Sequence, residues 1–129
     1  MKDSRLYNGS NLAYLGDAYY ELRIRHHLLT QGITKNKELR QKSLKYVTAT
    51  AHLYIYEKIK TALTVEEQAI FLRGRNNAPS CHRKNVDRGA YVISSGLEAV
   101  IGYLYLKGDF FRLDQLFMLI FNAVEGEQP

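Results

Sequence analysis

Proline is almost absent from this chain of 129 residues; the only two are Pro79 and the terminal Pro129. Proline removes a backbone donor and clashes with the preceding turn, so long proline-free stretches suit helices. The apolar spacing agrees. Leu12, Leu15, Tyr19, Leu22 and His26 recur at steps of three and four and predict an amphipathic first helix, stopped by Gly32. A second, polar helix is expected near Asn36, with Asn36 as its cap and Lys35, Lys37, Arg40, Lys42 and Lys45 along it. A third should cover Thr48 to Lys60, with Ala51, Tyr54, Ile55 and Ile59 inward. Thr64 and Glu67 have the spacing of a capping box and open a fourth, running to Arg73. Arg73 to Asn85 reads as a basic loop bearing glycine and asparagine. Helical pattern resumes near Asp87, runs to Leu106 and stops at Gly108. Asp109 caps a last helix with Phe110, Leu113, Phe117 and Ile120 or Phe121 inward. The β-branched residues show no sustained alternation. The expected fold is all-α, with about six to seven helices in one domain over residues 1–129.

Hydrophobic residues make up 46% and charged residues 24%, which argues against a wholly disordered chain. A chain of this length needs no disulfide or structural metal to fold. The 18 Lys and Arg against 13 Asp and Glu give a modest basic surplus that suits a nucleic-acid partner without establishing one. No uninterrupted apolar run approaches the roughly 18 residues of a membrane span, and no signal-peptide core follows Met1. A single cysteine, Cys81, excludes an internal disulfide and a four-thiolate zinc site. A cytoplasmic location with no membrane partner is the expectation. His26, His27 and His52 lack the spacing of a zinc-protease helix.

Two acids sit in unusual company. Asp17 lies within Leu12-Ala13-Tyr14-Leu15-Gly16-Asp17-Ala18-Tyr19-Tyr20, and Glu98 within Gly96-Leu97-Glu98-Ala99-Val100-Ile101-Gly102. Burying a carboxylate in such segments is costly without compensation, which an arginine or a divalent cation can provide. Gly16 and Gly102 add a clue. Glycine inside a helix costs about 1 kcal/mol relative to alanine, and close approach by another backbone or a ligand is a return on that cost. The two segments are therefore expected to be packed neighbours, with the acids buried around a metal ion; the alternative is Asp17 as a core acid paired with an arginine and Glu98 pointing to solvent.

The segment Tyr14-Leu15-Gly16-Asp17-Ala18 resembles the signature helix of ribonuclease III, whose core reads E-F-L-G-D. Leu97-Glu98-Ala99-Val100-Ile101-Gly102 resembles that family's second acidic motif, V-E-A-L-I-G. Arg73-Gly74-Arg75-Asn76 sits between them, where the family has a basic segment. With Arg25-His26-His27-Leu28-Leu29, the set is most similar to the branch called Mini-ribonuclease III, the catalytic domain without a double-stranded-RNA-binding domain. The resemblance covers nearly the whole chain. Where ribonuclease III carries further acids, this sequence has Ala13 and Ser95, as that branch does.

The resemblance implies a homodimeric, Mg²⁺-dependent endoribonuclease, with Mn²⁺ as a substitute. It would cut double-stranded RNA at the ends of large-subunit (23S) ribosomal RNA precursor and leave 5′-phosphate and 3′-hydroxyl ends. Asp17 and Glu98 match the catalytic metal ligands, and Tyr14 the aromatic that contacts the partner subunit. Glu21, one turn after Asp17, either meets metal through water or pairs with Arg25. Arg73, Arg75, Asn76, Asn77, Arg83 and Lys84 are the candidate RNA contacts, because arginine and asparagine suit phosphates and 2′-hydroxyls of an A-form duplex. A ribosomal protein is a candidate helper. The competing readings are a non-catalytic double-stranded-RNA-binding or ribosome-assembly protein with the same fold, and a helical protein-interaction module.

Overall fold

The computed structural model describes residues 7–78 and 87–126, and among these it has six α-helices and no strand. They are α1 (Gly9–Thr30), α2 (Asn36–Val47), α3 (Ala49–Ile59), α4 (Val65–Asn76), α5 (Arg88–Lys107) and α6 (Phe110–Glu125), with a 3₁₀ turn over Lys60–Ala62. Local chemistry sets most of their ends. The side chains of Asn8, Thr48, Asp87 and Asp109 each accept a hydrogen bond from a backbone N–H of the following turn. Thr64 and Glu67 form the capping box expected from their spacing. Gly32 and Gly108 take the positive φ, +87° and +78°, that ends α1 and α5.

Four expectations are corrected. Asn36 opens α2 but does not cap it; Lys35 holds the cap position without a side-chain bond. In α1 the buried face is Leu12, Ala13, Gly16, Tyr20, Ile24 and Leu28, whereas Leu22 and His26 are exposed. In α3 and α6, Tyr54 and Phe110 are about half exposed, while His52 and Leu116 turn inward. The basic stretch from Arg73 is helical through Asn76. Gly74 explains the extension: a Cβ there would fall 2.5 Å from the Ala99 Cβ and 2.8 Å from the Ser95 carbonyl oxygen. The last turn of α4 thus packs directly on α5.

Helix α5 is the centre of the molecule and packs against α1, α3, α4 and α6. By length and composition it is apolar enough to cross a membrane, yet its apolar residues from Leu97 to Leu104 form the protein core. A buried ion pair ties α6 to α4. Arg112 Nε and Nη2 donate to the two carboxylate oxygens of Glu67 at 2.8 and 2.9 Å, and Nη2 also reaches the Ala62 carbonyl.

Candidate active site

A close crossing of α1 and α5 makes the site. A Cβ on Gly16 would fall 1.8 Å from the Glu98 carbonyl oxygen, and one on Gly102 would fall 2.0 Å from the Leu12 carbonyl oxygen. Only glycine permits that approach. Asp17 follows Gly16 and Glu98 precedes Gly102 by one turn, so the crossing brings the acids together, near enough for the Asp17 carboxyl to act on that of Glu98. This is the juxtaposition the sequence suggested. The expectation that both acids are buried is not met: Asp17 is exposed and Glu98 half-buried. One residue past the contact face, the helix has turned about 100° toward solvent.

The pair is electrostatically loaded. Burial, then the hydrogen bond and charge of Asp17, then the charge of Glu21, push the Glu98 carboxyl up to about 9. At neutral pH Glu98 therefore holds a proton, the usual outcome when two carboxylates face each other. The same donor set fits a hard divalent ion. Mg²⁺ takes one or two carboxylates and fills its remaining positions with water and phosphate oxygens. Among the described residues no group of three or more His, Cys, Asp or Glu side chains is placed to hold a metal ion. Glu21 makes the i,i+4 ion pair with Arg25, at 3.7 Å, and its charge still acts on Glu98.

A residue that the motif comparison passed over lies against the same two helices. His52 of α3 is buried, with Nδ1 2.5 Å from the Ser94 Oγ. Its ring stands edge-on to Tyr20. Burial pulls its pKa down to about 4 against the opposing pull of the Asp17 charge and of the Tyr46 carbonyl, so the ring is neutral near pH 7. Its only sequence signal is a histidine within Ala51-His52-Leu53-Tyr54-Ile55. Behind it, the Tyr20 hydroxyl donates to the Tyr46 carbonyl at 2.6 Å. Tyr46 in turn bonds to Glu125, which also receives His27 and Gln31.

The basic candidates separate into groups. Arg75, Asn76 and Asn77 are exposed at the end of α4. Arg73 is half-buried and its guanidinium donates to the Tyr7 carbonyl, so it is occupied in holding the chain that leads into α1. The Asn77 amide donates to the Arg73 carbonyl at 2.7 Å and helps close the helix end. Arg83 and Lys84, with Cys81, lie outside the described residues. Tyr14 is 85% exposed on α1, one residue from the buried contact face.

Residues 10–109 match the family model described as the Ribonuclease III domain. The chain is 40% identical over 128 residues to the Mini-ribonuclease 3 of Streptococcus pneumoniae, covering 98% of this chain and 100% of that one. It is 40% identical over 117 residues to the Mini-ribonuclease 3 of Symbiobacterium thermophilum, covering 91% and 90%. A crystal structure of a Fusobacterium nucleatum protein superposes with a TM-score of 0.82 at 31% identity, over 99% of this chain and 100% of that one.

Proposed function

Because this chain belongs to the ribonuclease III family, it is an endoribonuclease, and we propose that it cuts double-stranded RNA at the Asp17–Glu98 pair. The observation that carries this reading is the meeting of two carboxyls at the glycine-lined crossing of α1 and α5. Asp17 and Glu98 would hold Mg²⁺, or Mn²⁺ in its place, and Glu21 would be the candidate to meet it through water. When bound, the ion supplies Lewis-acid chemistry to the phosphodiester and the attacking water.

The protein's own residues do the rest. Glu98 would have to be a carboxylate to hold the ion, since its proton and the cation compete for the same oxygens. Asp17, on α1, would be the second carboxylate holding the ion. Arg75, Asn76 and Asn77 bind the duplex backbone by shape; Arg83 and Lys84, outside the described residues, stay candidates for the same contact by their charge alone. Arg73 serves this surface indirectly, by fixing the segment before α1. In-line attack by water breaks the bond to the 3′ oxygen and leaves 5′-phosphate and 3′-hydroxyl ends.

One site cuts one strand. A two-fold dimer, with Tyr14 in its interface, would present two sites to the two strands of a duplex. The ends of large-subunit ribosomal RNA precursor as substrate, a ribosomal protein as helper and the cytoplasm as setting are carried over from the family resemblance alone. Incubation of the protein with a long RNA duplex, with Mg²⁺ or with chelator, tests the core of this. Cleavage only with Mg²⁺, giving 5′-phosphate ends, is expected; duplex binding without cleavage, including on ribosomal precursor, would overturn it.

A further inference from the structure

His52 has no part in the chemistry above, and its place is odd for a polar residue. It is 1% exposed, on the same face of α3 as the buried Ile55 and Ile59. One ring nitrogen is engaged: Nδ1 sits 2.5 Å from the Ser94 Oγ. The other, Nε2, is buried and makes no well-formed hydrogen bond: the Tyr46 carbonyl that acts on the ring already accepts from the Tyr20 hydroxyl. An unsatisfied buried nitrogen costs stability that an apolar side chain of similar size would not. Such groups call for a compensating role.

The geometry indicates what that role is. Ser94 lies four residues before Glu98 on α5, and Tyr20 three residues after Asp17 on α1. The imidazole contacts both, by the hydrogen bond to Ser94 and by an edge-to-face contact with Tyr20 at a centroid distance of 4.9 Å and an angle of 88°. One side chain from a third helix is therefore wedged against both acid-bearing helices, one turn from each acid. The Asp17 charge reaches the ring.

We propose that His52 is a positioning residue for the acid pair: through Ser94 and Tyr20 it sets the spacing of the α1 and α5 turns that carry Asp17 and Glu98, and so tunes how tightly they hold a divalent cation. It touches neither substrate nor cation. The inference rests on the reading of Asp17 and Glu98 as the metal site. Residues that orient metal ligands typically change metal affinity or activity by about 10–100-fold when altered.

The test uses His52→Leu, His52→Asn and Ser94→Ala, with Asp17→Asn as a separate arm. Mg²⁺ affinity is read by calorimetry without RNA, and kcat and KM on a duplex, with melting temperatures alongside. His52→Leu is expected to melt no lower than the native protein. Its Mg²⁺ affinity and kcat should fall by about tenfold or more while KM stays within about twofold. Ser94→Ala should move both quantities the same way, and His52→Asn, which can still bond Ser94, should recover part of the loss. Ser94→Ala decides the question if His52→Leu does not fold. Native Mg²⁺ affinity and kcat in folded His52→Leu and Ser94→Ala would overturn the proposal, as would losses that only track melting temperature. If Asp17→Asn itself binds Mg²⁺ and cuts normally, the metal-site reading falls, and this inference with it; if Asp17→Asn is inactive and His52→Leu is native-like, only this inference falls.

Discussion

Gly16 and Gly102 face each other where α1 crosses α5, and neither has room for a methyl group: a Cβ on Gly16 would lie 2.7 Å from the Gly102 nitrogen, and one on Gly102 would lie 3.0 Å from the Gly16 nitrogen. The separation of the two helices, and with it the meeting of Asp17 and Glu98, is set by two missing side chains.

Gly16→Ala should therefore be among the most damaging small substitutions in the molecule. Overpacking typically costs about 1–3 kcal/mol, and here the obstructing atoms are backbone that cannot swing away, which places the loss at the upper end or beyond. Gly89→Ala is the control, because its nearest neighbour is an Asp87 side-chain oxygen at 3.3 Å. Denaturant melts should show a large loss for the first and little change for the second.

Glu98 predicts a pH effect in the metal-free protein. Its carboxyl is raised in the fold from an ordinary 4.5 to about 9, by burial and then by Asp17 and Glu21. A raised folded pKa gives stability that is complete below 4.5 and is lost as pH rises through about 9. Glu98→Gln imitates the protonated acid and does not titrate. Its melting temperature should match the native protein near pH 5 and exceed it near pH 9. A gap that stays constant across that range contradicts the protonated Glu98.

The Arg112–Glu67 pair predicts the opposite pH sense. Burial alone would raise Glu67, but the hydrogen bonds from Arg112 and the Thr64 backbone, with the Arg112 charge, outweigh it and leave Glu67 below its ordinary value. Its contribution is present above pH 4.5 and is lost as pH falls through the lowered folded value. Arg112→Met strands a buried carboxylate and should cost about 3–5 kcal/mol near neutral pH, with the difference shrinking in acid. Thermal melts of the two proteins between pH 3 and pH 7 check it.

Arg75 is the exposed cation at the end of α4. Arg75→Ala should weaken duplex binding similarly for all sequences and reduce the slope of log affinity against log salt by about one. An unchanged slope would remove Arg75 from the RNA-facing surface.

Where control is local, the sequence was readable. Thr48, Thr64, Asp87, Asp109, Gly32 and Gly108 mark helix ends because a cap is decided within a few residues. The inward faces were less legible. The contact face of α1 is built from Ala13 and Gly16 as much as from leucines, and small residues at a close crossing carry little hydrophobic signal. The pairing of Asp17 with Glu98 could be suspected because each acid has a glycine within a turn. Their exposure could not, since it depends on where each side chain falls relative to the crossing. The helical state of Arg73 to Asn76 depends on Gly74 meeting Ser95 and Ala99, more than twenty residues away. His52 was invisible as a site residue for the same reason: Ser94 and Tyr20 meet it only in three dimensions.

Single-turnover cleavage of an RNA duplex with Mg²⁺, by the native protein and by folded Asp17→Asn and Glu98→Gln, tests the central claim most directly. The account predicts that each substitution lowers the cleavage rate by at least about 100-fold, the scale of losing one positioned catalytic group, while duplex affinity is retained. Cleavage by either variant at the native rate would contradict it.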